Sequence, residues 1–173
     1  MVETRLLEVE PERADGADVA ACLTAWHQFR GDAALPAFAD FDWFELPTEI
    51  LPYLVIVDIV DGGADFIYRF WGTAHSRIFH QDFTRSSVND LQPPEIAAGM
   101  VVQYMRVLEA ARPCLFIFEA EGGPADGLNV RESSLRMPFI DADGNLAQIV
   151  SFSDNRRQAE EFGTFFAHYD TGA

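Results

Sequence analysis

Val19, Cys22, Leu23, Trp26 and Phe29 recur at helical spacing near the start of the chain, the mark of a helix with one buried face. Asp15 or Asp18 can cap this helix and Gly31 can end it. Residues 1–14 are charged and aperiodic and read as a flexible tail. Beyond the helix, Pro36, Pro47 and Pro52 forbid another long one, while Phe38, Phe41, Trp43 and Phe44 make this stretch a packed connector. Tyr53 to Val60 reads as a strand apolar on both faces, hence buried on both. Asp61-Gly62-Gly63 is a turn, and Phe66 to Trp71 completes a hairpin that Gly72 ends.

The residues from Thr73 to Gln92 are irregular or short-helical. Pro93-Pro94-Glu95 opens a firm helix, since Pro suits a first turn, and Ile96, Met100, Tyr104, Val107, Leu108 and Ala111 form its apolar stripe. Arg112-Pro113 stops it. Cys114 to Ala120, Val130 to Ile140 and Asn145 to Ser153 read as three more strands, separated by a Gly/Pro-rich loop at 122–127 and by the turn Asp141-Ala142-Asp143-Gly144. Asp154 or Asn155 can cap a last helix carrying Ala159, Phe162, Phe165, Phe166 and Tyr169 on its apolar side. Strands grouped by short turns give an antiparallel sheet with helices on one face, an α+β domain. The chain divides into a tail (1–14), a single domain with its leading helix and connector (15–155), and a C-terminal helix and tail (156–173).

Charge narrows the function classes. Asp and Glu number 28 against 12 basic residues, all of them Arg, for a net charge of −16. Such a surface repels phosphate backbones and anionic lipid, so nucleic-acid and membrane-surface binding are not expected. The absence of Lys excludes Schiff-base chemistry, pyridoxal phosphate attachment and the Walker A loop. No apolar run approaches the roughly 20 residues of a membrane span, and the polar N-terminus has no hydrophobic signal region, so a cytoplasmic protein is expected. Cys22 and Cys114 match no zinc or redox spacing and read as buried free thiols. His75 and His80 lack further ligands at metal-site spacing, so no metal is expected. There is no Gly-x-Ser-x-Gly and no Gly-x-Gly-x-x-Gly.

Phe41-Asp42, the run from Leu46-Pro47 through Ile50-Leu51-Pro52-Tyr53 to Asp58, Asp65-Phe66-Ile67-Tyr68-Arg69-Phe70-Trp71-Gly72-Thr73, Asp82-Phe83-Thr84, and Met137-Pro138-Phe139 with Asp143-Gly144 follow one another in order. This ordered set resembles the PAS family, in particular a subgroup of small stand-alone PAS proteins best known from alphaproteobacteria, over about residues 20–153. The resemblance implies a five-stranded antiparallel sheet with helices on one face, here with added N- and C-terminal helices. It also implies a sensor or adapter in bacterial signal transduction. One departure stands out: Arg85 occupies the place after Thr84 where the subgroup tends to have Gly, and a left-handed turn disfavours Arg, so this loop is expected to differ. Haem-binding PAS proteins usually take a His from the long helix, which has none here, and light-oxygen-voltage flavoproteins need a Cys context that neither Cys22 nor Cys114 has. Haem and covalent flavin are therefore disfavoured.

Strand alternation assigns faces. Phe66, Tyr68 and Phe70, with Leu135, Met137 and Phe139, are expected under the helices, while Arg69, Trp71 and Arg136 are expected on the outer face. Trp and Arg are enriched at interface hot spots, so Trp26, Arg69, Trp71 and Arg136 are the candidate interface, covered by the N-terminal helix or by a second subunit. Tyr68, His75, Phe79 and Tyr104 are the candidates for an inward pocket holding a small apolar or amphipathic ligand. The leading reading is a homodimeric binding module with no catalytic constellation. At 173 residues the chain leaves no room for an output domain, so its output is expected to pass through a separate signalling protein. The alternatives are a small enzyme on a ketosteroid-isomerase-like cone, using His75, Tyr68 and Tyr104, and a ligand-free interaction protein whose Phe side chains fill the core.

Overall fold

The computed structural model describes residues 2–14, 16–122 and 129–167. In chain order the elements are β1 (Val2–Val9), α1 (Ala17–Arg30), β2 (Leu54–Val60), β3 (Asp65–Trp71), α2 (Thr73–Phe79), α3 (Pro94–Ala110), β4 (Cys114–Gly122), β5 (Asn129–Ile140), β6 (Leu146–Asp154) and α4 (Ala159–Ala167), with short 3-10 turns between them. The strands form one antiparallel sheet in the order β1-β4-β5-β6-β2-β3. The meander β4-β5-β6 thus closes back on the β2-β3 hairpin, with β2 beside β6. This is the α+β arrangement of hairpin, helical middle and meander that the sequence predicts.

The sixth strand corrects the reading of residues 1–14 as a flexible tail. β1 pairs with β4 from Val2↔Gly122 to Val9↔Leu115. It carries the charges of an edge strand, and its apolar residues, Val2, Leu6, Leu7 and Val9, do not alternate with the polar ones in a way that announces burial. Val2 and Leu6 reach the core beneath α3, and Glu8 is held by Arg106 (2.7 Å) and Arg112 (3.3 Å).

Both faces of the sheet are covered. On the inner face, α2, α3 and α4 enclose Val55, Val57, Phe66, Tyr68, Phe116 and Phe118. On the other, α1 and the aromatic connector bury Leu54, Ile56, Leu135, Met137, Phe139, Val150 and Phe152. Trp26 fastens α1 there, its Nε1–H donating to the Pro138 carbonyl at 3.0 Å. That carbonyl is free because β4 begins at Cys114, opposite Arg136, so β5 is an edge beyond this point and tolerates a Pro. The connector runs beside the same edge, where Ile140 N donates to Pro36 O (3.0 Å) and Phe38, Phe41 and Phe139 pack edge-on or stacked.

Helix ends differ in detail from expectation. Gly16 is the N-cap of α1, without a side-chain bond, and Asp18 sits in the first turn, where an acid favours the helix dipole. Asp18 also accepts from Arg156 at 2.6 Å. Asn155 precedes a 3-10 turn, Arg156–Gln158, and its side chain makes no cap hydrogen bond to it, while its carbonyl accepts from Gln158 N at 3.1 Å. The proposed cap Asp15, the loop at 122–127 beyond Gly122, and Tyr169 lie outside the described residues. α4 packs on the domain, with Phe162, Phe165 and Phe166 buried.

The loop after α2 keeps the left-handed turn despite Arg85, which has φ +74°. Its backbone explains why: Arg85 N donates to Tyr68 O (2.7 Å) and Tyr68 N to Ser86 O (3.0 Å), so the loop seals the β3 edge. Asp65 Oδ1 adds bonds from Ser87 Oγ (2.7 Å) and Asn89 Nδ2 (3.1 Å). Arg85→Gly is expected to stabilise the fold by about 0.5–1 kcal/mol, since only the non-Gly residue is strained there. Gly72 is the opposite case. A Cβ there would overlap the Pro52 carbonyl oxygen, so Gly72→Ala should cost about 1–3 kcal/mol. Urea unfolding midpoints of the two variants check both signs.

Candidate functional site

A β-bulge decides which side chains face the helices. Ile56 pairs with Phe70 and Val57 with Tyr68, leaving Arg69 as the extra residue. The alternation therefore slips by one: Phe66, Tyr68 and Trp71 point inward, and Phe70 points outward against Trp43. The expected outward placement of Trp71 and inward placement of Phe70 are corrected accordingly. Arg69 does lie outside, 49% exposed, paired with Asp58 at 2.8 Å and lying over the Phe38 ring.

The meander strands are turned over relative to expectation. On β5 the even-numbered residues face inward, so Arg136 enters the core at 1% exposure, while Leu135, Met137 and Phe139 meet α1 and the connector. Both faces of this strand are buried, so apolarity alone did not select the inner one. Trp26, placed with the interface candidates, is buried between α1 and the sheet. Of the four residues, Arg69 alone remains exposed.

The inner face holds a polar network among rings. The Arg136 guanidinium donates to Gln103 Oε1 (2.8 Å) and Ser151 Oγ (3.0 Å), touches Met100 Sδ (3.0 Å), and stacks 4.4 Å from the Tyr104 ring centroid. Farther along the same strand, the Glu132 carboxylate accepts from Ser134 Oγ (2.7 Å) and Asn155 Nδ2 (3.3 Å), and Ser134 also bonds Ser153 (2.8 Å). Among the described residues neither Arg136 nor Glu132 forms an ion pair. Arg136, Ser151, Val55 and Trp71 form one register row across four strands. Trp71 packs against Tyr68 (4.7 Å between centroids), His75, Phe79 and Phe83. Phe79 is stacked in turn on Phe166 of α4 at 4.0 Å.

The structure thus brings Tyr68, His75, Phe79 and Tyr104 to one region, and adds Trp71 and Arg136, which sequence reasoning placed on the outer face, and Gln103, Glu132, Ser134, Ser151, Ser153 and Asn155, which it did not assign to a site. Two signals were present in the chain. Gln103 adjoins the apolar stripe of α3, and β5 and β6 both alternate polar with apolar residues, Glu132-x-Ser134-x-Arg136 against Ser151-x-Ser153.

Among the described residues, two buried polar atoms on this side of the sheet have no hydrogen-bond partner: Trp71 Nε1–H and Asn155 Oδ1. The Asn155 amide is oriented by Glu132, which can only accept, so Oδ1 is the atom left over. His75 Nε2–H donates to the Tyr53 carbonyl at 3.0 Å, which fixes its tautomer. Burial lowers the His75 pKa from its usual 6.5, with the Glu132 charge opposing that shift. Burial raises both tyrosine pKa values, that of Tyr68 further through its contact with Tyr104, while Arg136 restrains that of Tyr104. At neutral pH the site therefore offers a neutral imidazole and two phenol hydroxyls beside the Arg136 and Glu132 side chains. The described residues contain no grouping of three or more His, Cys, Asp or Glu suited to a metal ion, and no helix long and apolar enough to cross a membrane.

No protein-family model matches the chain, and no curated protein matches it. Among solved structures it is similar to an RNA-binding light-oxygen-voltage receptor, with 10% sequence identity and a TM-score of 0.42 over 98% of this chain and 42% of that one. The chain spans less than half the length of that receptor chain.

An unfolded chain takes up a proton on His75 near pH 6.5 that the folded chain resists. Stability should therefore be unaffected by this residue above pH 6.5 and fall below it, by up to roughly 1.4 kcal/mol per pH unit. Urea titrations between pH 7.5 and 5.5 on the wild type and His75→Gln test this. The variant should lose that component of the acid slope, and parallel slopes would disprove a neutral His75.

Proposed function

We propose that the chain is a PAS-type sensor module of bacterial signal transduction. It holds a small amphipathic ligand against the inner face of its sheet and transmits the bound state through protein contacts, as a homodimer. The observation that carries this reading is the pair of buried atoms without a partner among the described residues, Trp71 Nε1–H and Asn155 Oδ1, both on the inner side of the sheet. Native interiors pair their buried polar groups. Two orphans of opposite kind in one region suit a ligand that brings an acceptor and a donor. The rings of Tyr68, Trp71, Phe79 and Phe83 supply the apolar walls that ligand sites commonly have. The resemblance to stand-alone PAS proteins supports the same reading. A net charge of −16 favours a small-molecule or protein partner over nucleic acid. Arg69, exposed beside the connector rings, is the residue of the candidate interface still available to a partner.

Native mass spectrometry of gently purified protein, with an absorption spectrum of the same sample, tests the reading. The expected species is a dimer carrying added non-protein mass, which is reduced in Trp71→Phe because that change removes the N–H and keeps most of the ring. An apo monomer whose melting temperature is unmoved by a small-molecule extract of bacterial cells would sink the proposal.

A further inference from the structure

The electrostatics of the inner face specify more than a ligand of unstated type. Arg136 and Glu132 carry opposite charges on the same face of β5, four residues apart, which places their Cα atoms roughly 13 Å from each other along the strand. Arg136 is 1% exposed and Glu132 5% exposed, and among the described residues each is hydrogen-bonded or stacked by neutral groups: Gln103, Ser151, Met100 and Tyr104 for the first, Ser134 and Asn155 for the second. Buried charges are costly unless paired. The two orphan atoms extend the pattern. Asn155 Oδ1, 98% buried as a residue, is an unused acceptor attached to the group that bonds Glu132. A carboxylate and an amide oxygen together are the recognition set for an ammonium, which has donors only. Arg136 is the recognition group for a carboxylate, and Trp71 Nε1–H is a further donor to an oxygen.

Charge balance decides between ligand classes. Arg136 and Glu132 already sum to zero. A simple carboxylic acid would leave the buried region with a net negative charge, and a simple amine would leave it positive. A molecule carrying both charges pairs each protein charge and keeps the sum at zero. His75, held neutral by burial, leaves that balance unaltered.

We propose that the ligand of the inner site is a small amphipathic amino carboxylate, bound as a zwitterion, with its carboxylate on Arg136, its ammonium on Glu132 and Asn155 Oδ1, and its apolar part among Tyr68, Trp71, Phe79 and Phe83. The proposal rests on the sensor reading above and narrows its ligand.

The test uses the full wild-type chain and thermal-shift and calorimetric titration against the twenty common amino acids, 4-aminobutyrate and 5-aminovalerate. Each binder is then compared with its carboxamide and its N-acetyl derivative. The expected result is at least one binder whose two derivatives each bind on the order of a hundredfold more weakly, the loss that follows when one partner of a buried charge pair goes missing. Glu132→Gln should abolish the preference against the N-acetyl form, and Arg136→Gln the preference against the carboxamide. The derivative comparison on wild-type protein stands even if either variant fails to fold. A panel without any binder, or derivatives that bind as well as their parents, overturns the zwitterion. So does a native-mass adduct that lacks an amine, and in that case the sensor reading survives. An apo protein that neither this panel nor cell extract stabilises removes both.

Discussion

The Arg136 guanidinium is the constraint from which much of the architecture follows. Placed in the middle of the sheet, it joins β5 to β6 through Ser151 and to α3 through Met100, Gln103 and Tyr104. A face that receives this charge must offer polar neighbours, and Glu132, Ser134, Ser151 and Ser153 provide them. The aliphatic and aromatic residues of the same strands, Leu135, Met137, Phe139, Val150 and Phe152, are thereby committed to the opposite face. That face needs its own cover. The leading helix and the aromatic connector supply it, and the Trp26 bond to Pro138 fixes where the cover sits. A sheet sandwiched on both sides is thus the consequence of turning an arginine inward.

The elements were legible because periodicity is a local property. The hairpin, the long helix and the three meander strands all lie within a residue or two of where alternation and Pro/Gly punctuation placed them. The faces were not legible, because burial of an apolar strand face requires only some cover, not a particular one. With α1 available, Leu135, Met137 and Phe139 could be buried away from α3, and the assumption that apolar residues face the long helix failed on β5. On β3 the failure came from one residue. The bulge at Arg69 reverses the alternation, so Trp71 joins Tyr68 on the inner face, and no composition cue in Tyr68-Arg69-Phe70-Trp71 announces it. β1 was missed for a different reason: an edge strand is charged to prevent further pairing, and charge without periodicity resembles a tail. Of the site, Tyr68, His75, Phe79 and Tyr104 were legible as inward groups next to apolar neighbours. The charged and hydroxyl half was not, because the polar positions of β5 were placed on the outer face, away from the helices.

The alternative of a filled, ligand-free core has real support in the rings. Phe79, Phe83, Phe166, Trp71 and Tyr68 form a continuous set of edge, tilted and stacked contacts. Rings alone would complete such a core without a guanidinium, a carboxylate or an orphan N–H. Buried ionic groups contribute little net stability, and well-packed apolar replacements are often as stable or more so. Stability therefore does not account for Arg136 and Glu132 at the centre of the sheet.

The cysteines limit what kind of chemistry the interior can support. Burial pushes the Cys22 thiol up to about 12 and Cys114 up to about 11, so neither is a thiolate at neutral pH, and the thiolate is the reactive form. Cys22 also lies on the α1 side of the sheet, away from Trp71 and Arg136. Cys114 opens β4 opposite Arg136, and its nearest bond is to the Arg112 carbonyl. Covalent capture by a thiol therefore has no activated nucleophile to start from. The phenols of Tyr68 and Tyr104 are held protonated by the same burial. At neutral pH the interior thus holds its thiols and phenols protonated and its His75 imidazole neutral.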